Sequence, residues 1–244
     1  MKIIRLVEKL PLAVIDVLFP NRCVYCGRSL EESSCICQQC IDGMEIIQGR
    51  CCSRCGAPGM GDNGCSQCSD FQFLFEKNES LGVFSGRLRE LIHMYKFNRR
   101  SSLGRMFSKL LVTYKSDYIK KHDILLPVPL TLSRLSQRGF NQSYLVAKHI
   151  SDFLSIQFGG NMVLRKGSSR PQSSIKVLTE RLNNVTDRFI LRKNTGKYVT
   201  GRNILLLDDV LTTGATASGC ARVLYRYRAA NVDLLTIARA MKGV

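Results

Sequence analysis

Three short apolar runs mark the C-terminal two thirds of the chain: Ile124-Leu125-Leu126-Pro127-Val128-Pro129, Ile204-Leu205-Leu206-Leu207 and Val232-Asp233-Leu234-Leu235-Thr236-Ile237-Ala238. Near-continuous hydrophobicity over so few residues is the pattern of a strand buried on both faces of a parallel sheet. Helical periodicity lies between and around the runs. Over 143–157, Val146, Ile150, Phe153 and Leu154 share one face, with Asn141 placed as N-cap. Over 215–229, Cys220, Val223, Leu224 and Tyr227 recur at i, i+3, i+4 and i+7. Strands alternating with helices predict an α/β domain over residues 80–244, with an open, mainly parallel sheet flanked by helices. The polar and basic stretch 165–200 interrupts this alternation with Gly167, Ser168, Ser169, Pro171 and Gly196. It predicts a long loop or hood over the sheet.

The N-terminal third is built differently. Residues 3–19 are largely apolar but include Glu8, Lys9, Pro11 and Asp16. These deny both the uninterrupted core of a signal peptide and the roughly 20 apolar residues of a membrane span. The segment predicts an N-terminal helix over 1–19 that packs on another part of the protein. Ten of the 11 cysteines then fall between Cys23 and Cys68, eight of them in four C-x-x-C pairs: Cys23/Cys26, Cys37/Cys40, Cys52/Cys55 and Cys65/Cys68. That spacing serves long-range disulfides poorly and two thiolates gripping one ion well. Four thiolates close a tetrahedral Zn2+ site with no open position, so the eight ligands predict two structural zinc sites in a small module over residues 20–70. The pairing is either consecutive or cross-braced, and the spacing admits both. Ribbons this short have too little apolar core to fold alone, so the metal supplies folding free energy on the order of 10 kcal/mol per site. Residues 59–64 match G-x-G-x-x-G, but between two knuckles they form a ribbon loop, not the strand-to-helix turn of a dinucleotide site. Zinc thiolates without an export signal predict a cytoplasmic protein.

Charge sharpens the division. Residues 1–80 hold eight Lys/Arg against ten Asp/Glu, and residues 81–244 hold 28 against nine, within a formal net charge of +17. A basic domain of this kind suits a polyanion or a phosphorylated ligand, although solvated basic faces alone produce much of such an excess.

The most informative segment is Ile204-Leu205-Leu206-Leu207-Asp208-Asp209-Val210-Leu211-Thr212-Thr213-Gly214-Ala215-Thr216. A buried strand ends in two carboxylates, a loop of small hydroxyl residues and glycine follows, and a helix begins. Open α/β sheets bind ligands at the carboxyl ends of their strands. The unpaired N–H groups and positive dipole end of the helix suit a phosphate, and adjacent carboxylates suit the vicinal hydroxyls of a sugar.

This segment resembles the signature of type I phosphoribosyltransferases. The resemblance implies that Asp208 and Asp209 are the catalytic pair, holding the ribose 2′- and 3′-hydroxyls of phosphoribosyl pyrophosphate. It implies that Thr212, Thr213, Gly214, Ala215 and Thr216 hold the 5′-phosphate, and that Mg2+ accompanies the ligand. A broader likeness covers nearly the whole chain. The zinc ribbons follow Leu18-Phe19-Pro20, and then come Leu91-Ile92-His93-Met94-Tyr95-Lys96, Leu126-Pro127-Val128-Pro129, Arg134, Arg138-Gly139-Phe140-Asn141-Gln142 and Arg170-Pro171-Gln172, with the phosphoribosyl loop last. In this order the chain is similar to the ComF family of competence proteins: a double zinc ribbon before a phosphoribosyltransferase-like domain, in a protein of DNA uptake during natural transformation. Arg134 and Arg138 are the first candidates for pyrophosphate or DNA contact, and Lys96 and Arg170 the next. Family 6-oxopurine enzymes carry an acidic residue where Thr212 stands, which disfavours a hypoxanthine or guanine acceptor here.

Three functions stay open on this reading. One is a DNA-uptake protein with a phosphoribosyl pyrophosphate site. Another is a phosphoribosyltransferase of nucleotide metabolism or salvage without a DNA role. The last is a single-stranded DNA-binding protein with an inactive nucleotide site. The zinc module is also a candidate docking surface for an uptake helicase or pore protein.

Overall fold

The computed structural model describes residues 22–30, 34–59, 65–98, 100–166 and 188–243. The expected N-terminal helix, Arg170 and most of the 59–64 loop lie outside them. The chain divides into two compact units, Met1–Met44 and Glu45–Val244. The first unit holds the knuckles at Cys23/Cys26 and Cys37/Cys40, the latter opening the short helix α1 (Gln38–Asp42). The second unit holds the other two knuckles together with the sheet. Cys55 and Ala57 share a core with Phe73, Phe75, Ile204, Leu206 and Cys220. A knuckle pair with few apolar residues of its own thus borrows the sheet's interior.

The sheet is five-stranded and wholly parallel. Its strands are β1 (Asn78–Val83), β2 (Ile124–Pro127), β3 (Gln157–Phe158), β6 (Asn203–Leu211) and β7 (Asn231–Arg239), in the order β1-β7-β6-β2-β3. The leucine run in β6 is the central strand and is fully buried between β2 and β7. Burying each such side chain is worth roughly 1.5–3 kcal/mol, which fixes its place in the centre. Helices α2 (Gly86–Phe97) and α3 (Ser102–Ile119) connect β1 to β2, and α4 (Leu132–Arg138) and α5 (Gln142–Leu154) connect β2 to β3. The segment 165–200 contributes β5 (Phe189–Leu191), which pairs antiparallel with β4 (Val163–Arg165). Helix α6 (Ala215–Arg226) joins β6 to β7 and packs on β5 and β7.

Helix ends follow local chemistry. Asn141 caps α5 as expected, its side-chain oxygen accepting from the Tyr144 N–H at 3.3 Å. Thr131 caps α4 in the same way through the Arg134 N–H, and Gly139 at φ +81° ends that helix in the left-handed conformation. Val146 and Ile150 face the core, whereas Phe153 is 39% exposed, because α5 ends at Leu154 before its stripe completes another turn. From β2 the chain leads to β3 on one side and from β6 to β7 on the other. The crevice between the carboxyl ends of β2 and β6 is therefore a topological switch point. Among the described residues, no helix is long and apolar enough to cross a membrane.

Candidate functional site

The cysteine clusters resolve the pairing as consecutive. Cys23, Cys26, Cys37 and Cys40 bring their Sγ atoms within 4.8 Å of one another, and so do Cys52, Cys55, Cys65 and Cys68. The Sγ–Sγ separations of Cys26–Cys37, Cys52–Cys68 and Cys55–Cys65 are 3.8, 3.9 and 3.7 Å. A tetrahedral ion with Zn–S bonds of about 2.3 Å needs sulfurs about 3.8 Å apart, so both donor sets fit Zn2+ with no fourth position left open. Burial raises the Cys23 thiol, but backbone N–H donors at Cys26, Cys37 and Tyr25 bring it down to about 6, so the knuckle itself favours thiolate. Cys35 and Cys51 belong to neither cluster.

At the other candidate site, β6 outruns β2. Pairing with β2 stops at Pro127↔Leu207, while pairing with β7 continues through Asp208↔Thr236 to Leu211↔Arg239. The acidic pair therefore lies inside the strand rather than after it, at the switch point. Beyond Leu211 the chain turns at Gly214, φ +70°, and enters α6 at Ala215. A Cβ at Gly214 would sit 2.6 Å from the Phe73 ring, so close approach as well as φ demands glycine. Asp208, Thr212, Thr213, Gly214, Ala215 and Thr216 line one cavity of about 40 Å³. The first turn of a twelve-residue helix, Ala215 to Ala217, lines the same cavity, with the Ala215 N–H donating to Thr213 Oγ1 at 3.5 Å.

The two carboxylates have different surroundings. Asp208 accepts from Ser143 Oγ at 3.3 Å and from the Asp209 N–H at 2.8 Å. Burial, and then the neighbouring charge of Asp209, push its carboxyl up to about 7. Asp209 Oδ2 instead meets Lys96 Nζ at 2.8 Å and Arg138 Nη1 at 3.6 Å. Arg138 is 8% exposed and also donates from Nη1 to Gln142 Oε1 at 3.0 Å. Tyr95, its hydroxyl raised by burial and then by Asp209, donates to the Gln142 carbonyl at 2.9 Å. Arg138 Nε and Gln142 Nε2 are buried without a hydrogen-bond partner. Such donors beside a carboxylate pair suit an anionic, oxygen-rich ligand.

Residues 14–69 match the family model described as the double zinc ribbon domain. The competence protein ComFC of Bacillus subtilis (strain 168) is 29% identical over 213 residues, covering 84% of each chain. The DNA utilization protein YhgH of Escherichia coli (strain K12) is 29% identical over 196 residues, 78% of this chain and 84% of that one. Over most of its length the chain is therefore similar to proteins named for competence and for DNA utilization. Among solved structures, a glutamine phosphoribosylpyrophosphate amidotransferase from B. subtilis, complexed with ADP and GMP, matches at TM-score 0.38 and 15% identity, over 57% of this chain and 26% of that one.

The structure gathers Asp208 with residues 212–216, and Asp209 with Lys96 and Arg138. Arg134 lies exposed on α4. Of the histidines, His93 is exposed on α2, and His149 stacks on Phe153. Sequence reasoning missed Ser143, the hydrogen-bond donor to Asp208, although it stands two residues after the helix cap that was recognised. It also missed Arg165, whose guanidinium is held below its ordinary pKa by burial and then by Arg188 and Arg134, and which lies within electrostatic reach of Asp208. Nothing in its local pattern separates this arginine from the other cations of a basic stretch.

Proposed function

We propose that this chain is a cytoplasmic DNA-uptake protein of the ComF type, whose β6–α6 mouth binds phosphoribosyl pyrophosphate together with Mg2+. The observation that carries the reading is the single cavity shared by Asp208 and residues 212–216, beside an Asp209 ringed by Lys96 and Arg138. In this reading the loop N–H groups and the α6 dipole take the 5′-phosphate, and the acidic pair accepts from the ribose hydroxyls. Lys96 and Arg138 turn from Asp209 toward the diphosphate, where developing charge needs them. Mg2+ bound with the diphosphate would neutralise part of that charge, with Asp208 and Asp209 as the carboxylates able to reach it. The relatives named for competence and DNA utilization support the DNA side of the proposal.

The deciding assay follows pyrophosphate release from phosphoribosyl pyrophosphate and Mg2+, with and without short oligonucleotides. Release that requires the oligonucleotide supports a transferase acting in DNA handling. Release without it, together with no DNA binding, supports the salvage alternative.

A specific observation favours a second reading, single-stranded DNA handling at a site that does not turn over. Phe84, His93 and Phe97 follow one another at centroid distances of 6.1 and 5.9 Å, with Arg89 over Phe84 at 5.8 Å and Arg138 over Phe97 at 5.6 Å. Phe97 is 53% exposed. Rings interleaved with guanidinium groups suit base stacking along a phosphate backbone. Affinity for an oligonucleotide should then fall steeply with salt, and removing Arg134 and Arg138 should lower the salt slope. Binding indifferent to salt would contradict this second reading.

A further inference from the structure

We infer that the second four-cysteine cluster sets the shape of the β6–α6 loop, so that metal occupancy at Cys52, Cys55, Cys65 and Cys68 and phosphate binding at residues 212–216 are thermodynamically coupled, with Arg239 as the positioning residue between them. This rests on the reading of the loop as a phosphate cradle. Arg239 is the last residue of β7 and is 1% exposed. Its Nη1 donates to the carbonyls of Leu211 at 3.1 Å, Thr212 at 3.2 Å and Ala240. Its Nη2 donates to the carbonyl of Gln67 at 3.1 Å, the residue immediately before Cys68. One guanidinium therefore ties the entry of the cradle to the knuckle between Cys65 and Cys68.

Further contacts reinforce the tie from both sides. The Lys242 N–H donates to Gln67 Oε1 at 2.6 Å, and its Nζ donates to the Ser66 carbonyl at 2.8 Å. Across the loop, the Phe73 ring fills the space a Cβ at Gly214 would need, and Ser218 Oγ in α6 accepts from the Leu74 N–H at 3.2 Å. The first turns of α6 thus lean on the segment that leaves the ribbon.

Charge gives the coupling its sign. The partners of Arg239 are carbonyl oxygens, and a buried cation with only dipoles around it is costly. Zn2+ on four thiolates carries a net charge of −2, and this cluster adjoins the guanidinium, so the filled site supplies the missing counter-charge. Losing the metal removes that charge and releases the Gln67 anchor, because short metal ribbons lose their fold with the ion. The Leu211 and Thr212 carbonyls are then no longer held, and the amides of the loop lose their common direction. By linkage the ligand must tighten the metal by the same factor that the metal tightens the ligand.

The test follows zinc release from the full-length, zinc-loaded chain to a chromophoric chelator, with and without saturating phosphoribosyl pyrophosphate and Mg2+. Cys37→Ser, which disables the first cluster, assigns the kinetic phases. The ligand should slow release from the second cluster by at least about fivefold and leave the first unchanged. Arg239→Met should remove this slowing and weaken ligand binding at least about fivefold. If that variant does not fold, Arg239→Lys, which keeps the charge and loses the fork, should give an intermediate effect on both. A wild-type chain that binds the ligand while both release phases stay unchanged would overturn the coupling alone. A wild-type chain that binds no ligand would instead overturn the phosphate reading on which it rests.

Discussion

Asp208 and Asp209 are adjacent carboxylates, and neutralising them one at a time should move stability in opposite directions. Burial and the charge of Asp209 push the Asp208 carboxyl from 3.8 up to about 7. Between these values the unfolded chain has released the proton and the folded chain keeps it, so native stability declines as pH rises through that window and the loss is complete above about pH 7. A shift of about 3 units at about 1.4 kcal/mol each bounds the loss near 4 kcal/mol. Asp208→Asn removes the ionisation but retains an acceptor for Ser143 Oγ and the Asp209 N–H. Allowing for the lost attraction to Lys96, we expect a gain of about 2 kcal/mol at pH 8, or about 4–8 °C in Tm, shrinking toward zero near pH 4. Asp209→Asn takes from Lys96 and Arg138, both largely buried, their ion-pair partner, and should cost about 3 kcal/mol at neutral pH, less whatever an Asp208 freed from its neighbour's charge returns by ionising beside Lys96. Thermal unfolding of the parent and both variants from pH 4 to 8.5, without ligand, reads both signs. Shifts of Tm in the same direction for the two variants, or an Asp208→Asn gain that does not grow with pH, would contradict these assignments.

Other consequences concern the loop, the metals and the far end of the sheet. Gly214→Ala forces a Cβ against Phe73 at positive φ, and should cost at least about 1 kcal/mol of stability while lowering affinity for phosphoribosyl pyrophosphate at least tenfold in a binding titration. Metal analysis should find two zinc ions per chain, one after Cys37→Ser and one after Cys65→Ser. His122 places Nε2 at 2.9 Å from Asp233 Oδ2 and Nδ1 at 3.0 Å from the Tyr118 carbonyl, at the sheet end opposite the site. His122→Ala should therefore destabilise the chain by about 3 kcal/mol in chemical unfolding and leave ligand affinity within twofold of the parent.

The parts of this fold legible in the sequence are those whose signal is local. The leucine run of β6, the Asn141 cap and the C-x-x-C spacing each declare themselves within a few residues. Strand β1, Asn78-Glu79-Ser80-Leu81-Gly82-Val83, does not, because its buried face is polar. Asn78 and Ser80 hydrogen-bond to one another, and their other partners, the Cys55 carbonyl and Thr236 Oγ1, are distant in sequence. The acidic pair was legible because a strand–acid–glycine order is compact. Its environment was not, since Ser143 and Gln142 reach it only after α5 packs on β2 and β6, and Arg165 only after β4 has paired with β5. Arg239 is the extreme case: a cation ending an apolar strand, whose role depends on a cysteine knuckle more than 170 residues away in the chain.

In the proposed function the mouth between β6 and α6 grips a sugar phosphate through Asp208, Asp209 and residues 212–216. Calorimetric titration of the zinc-loaded protein with phosphoribosyl pyrophosphate, in the presence of Mg2+, measures this directly. Saturable binding at one site per chain is expected, lost when both carboxylates are changed to asparagine and retained in His122→Ala. No heat of binding in the parent, or equal binding in the doubly substituted chain, would contradict it.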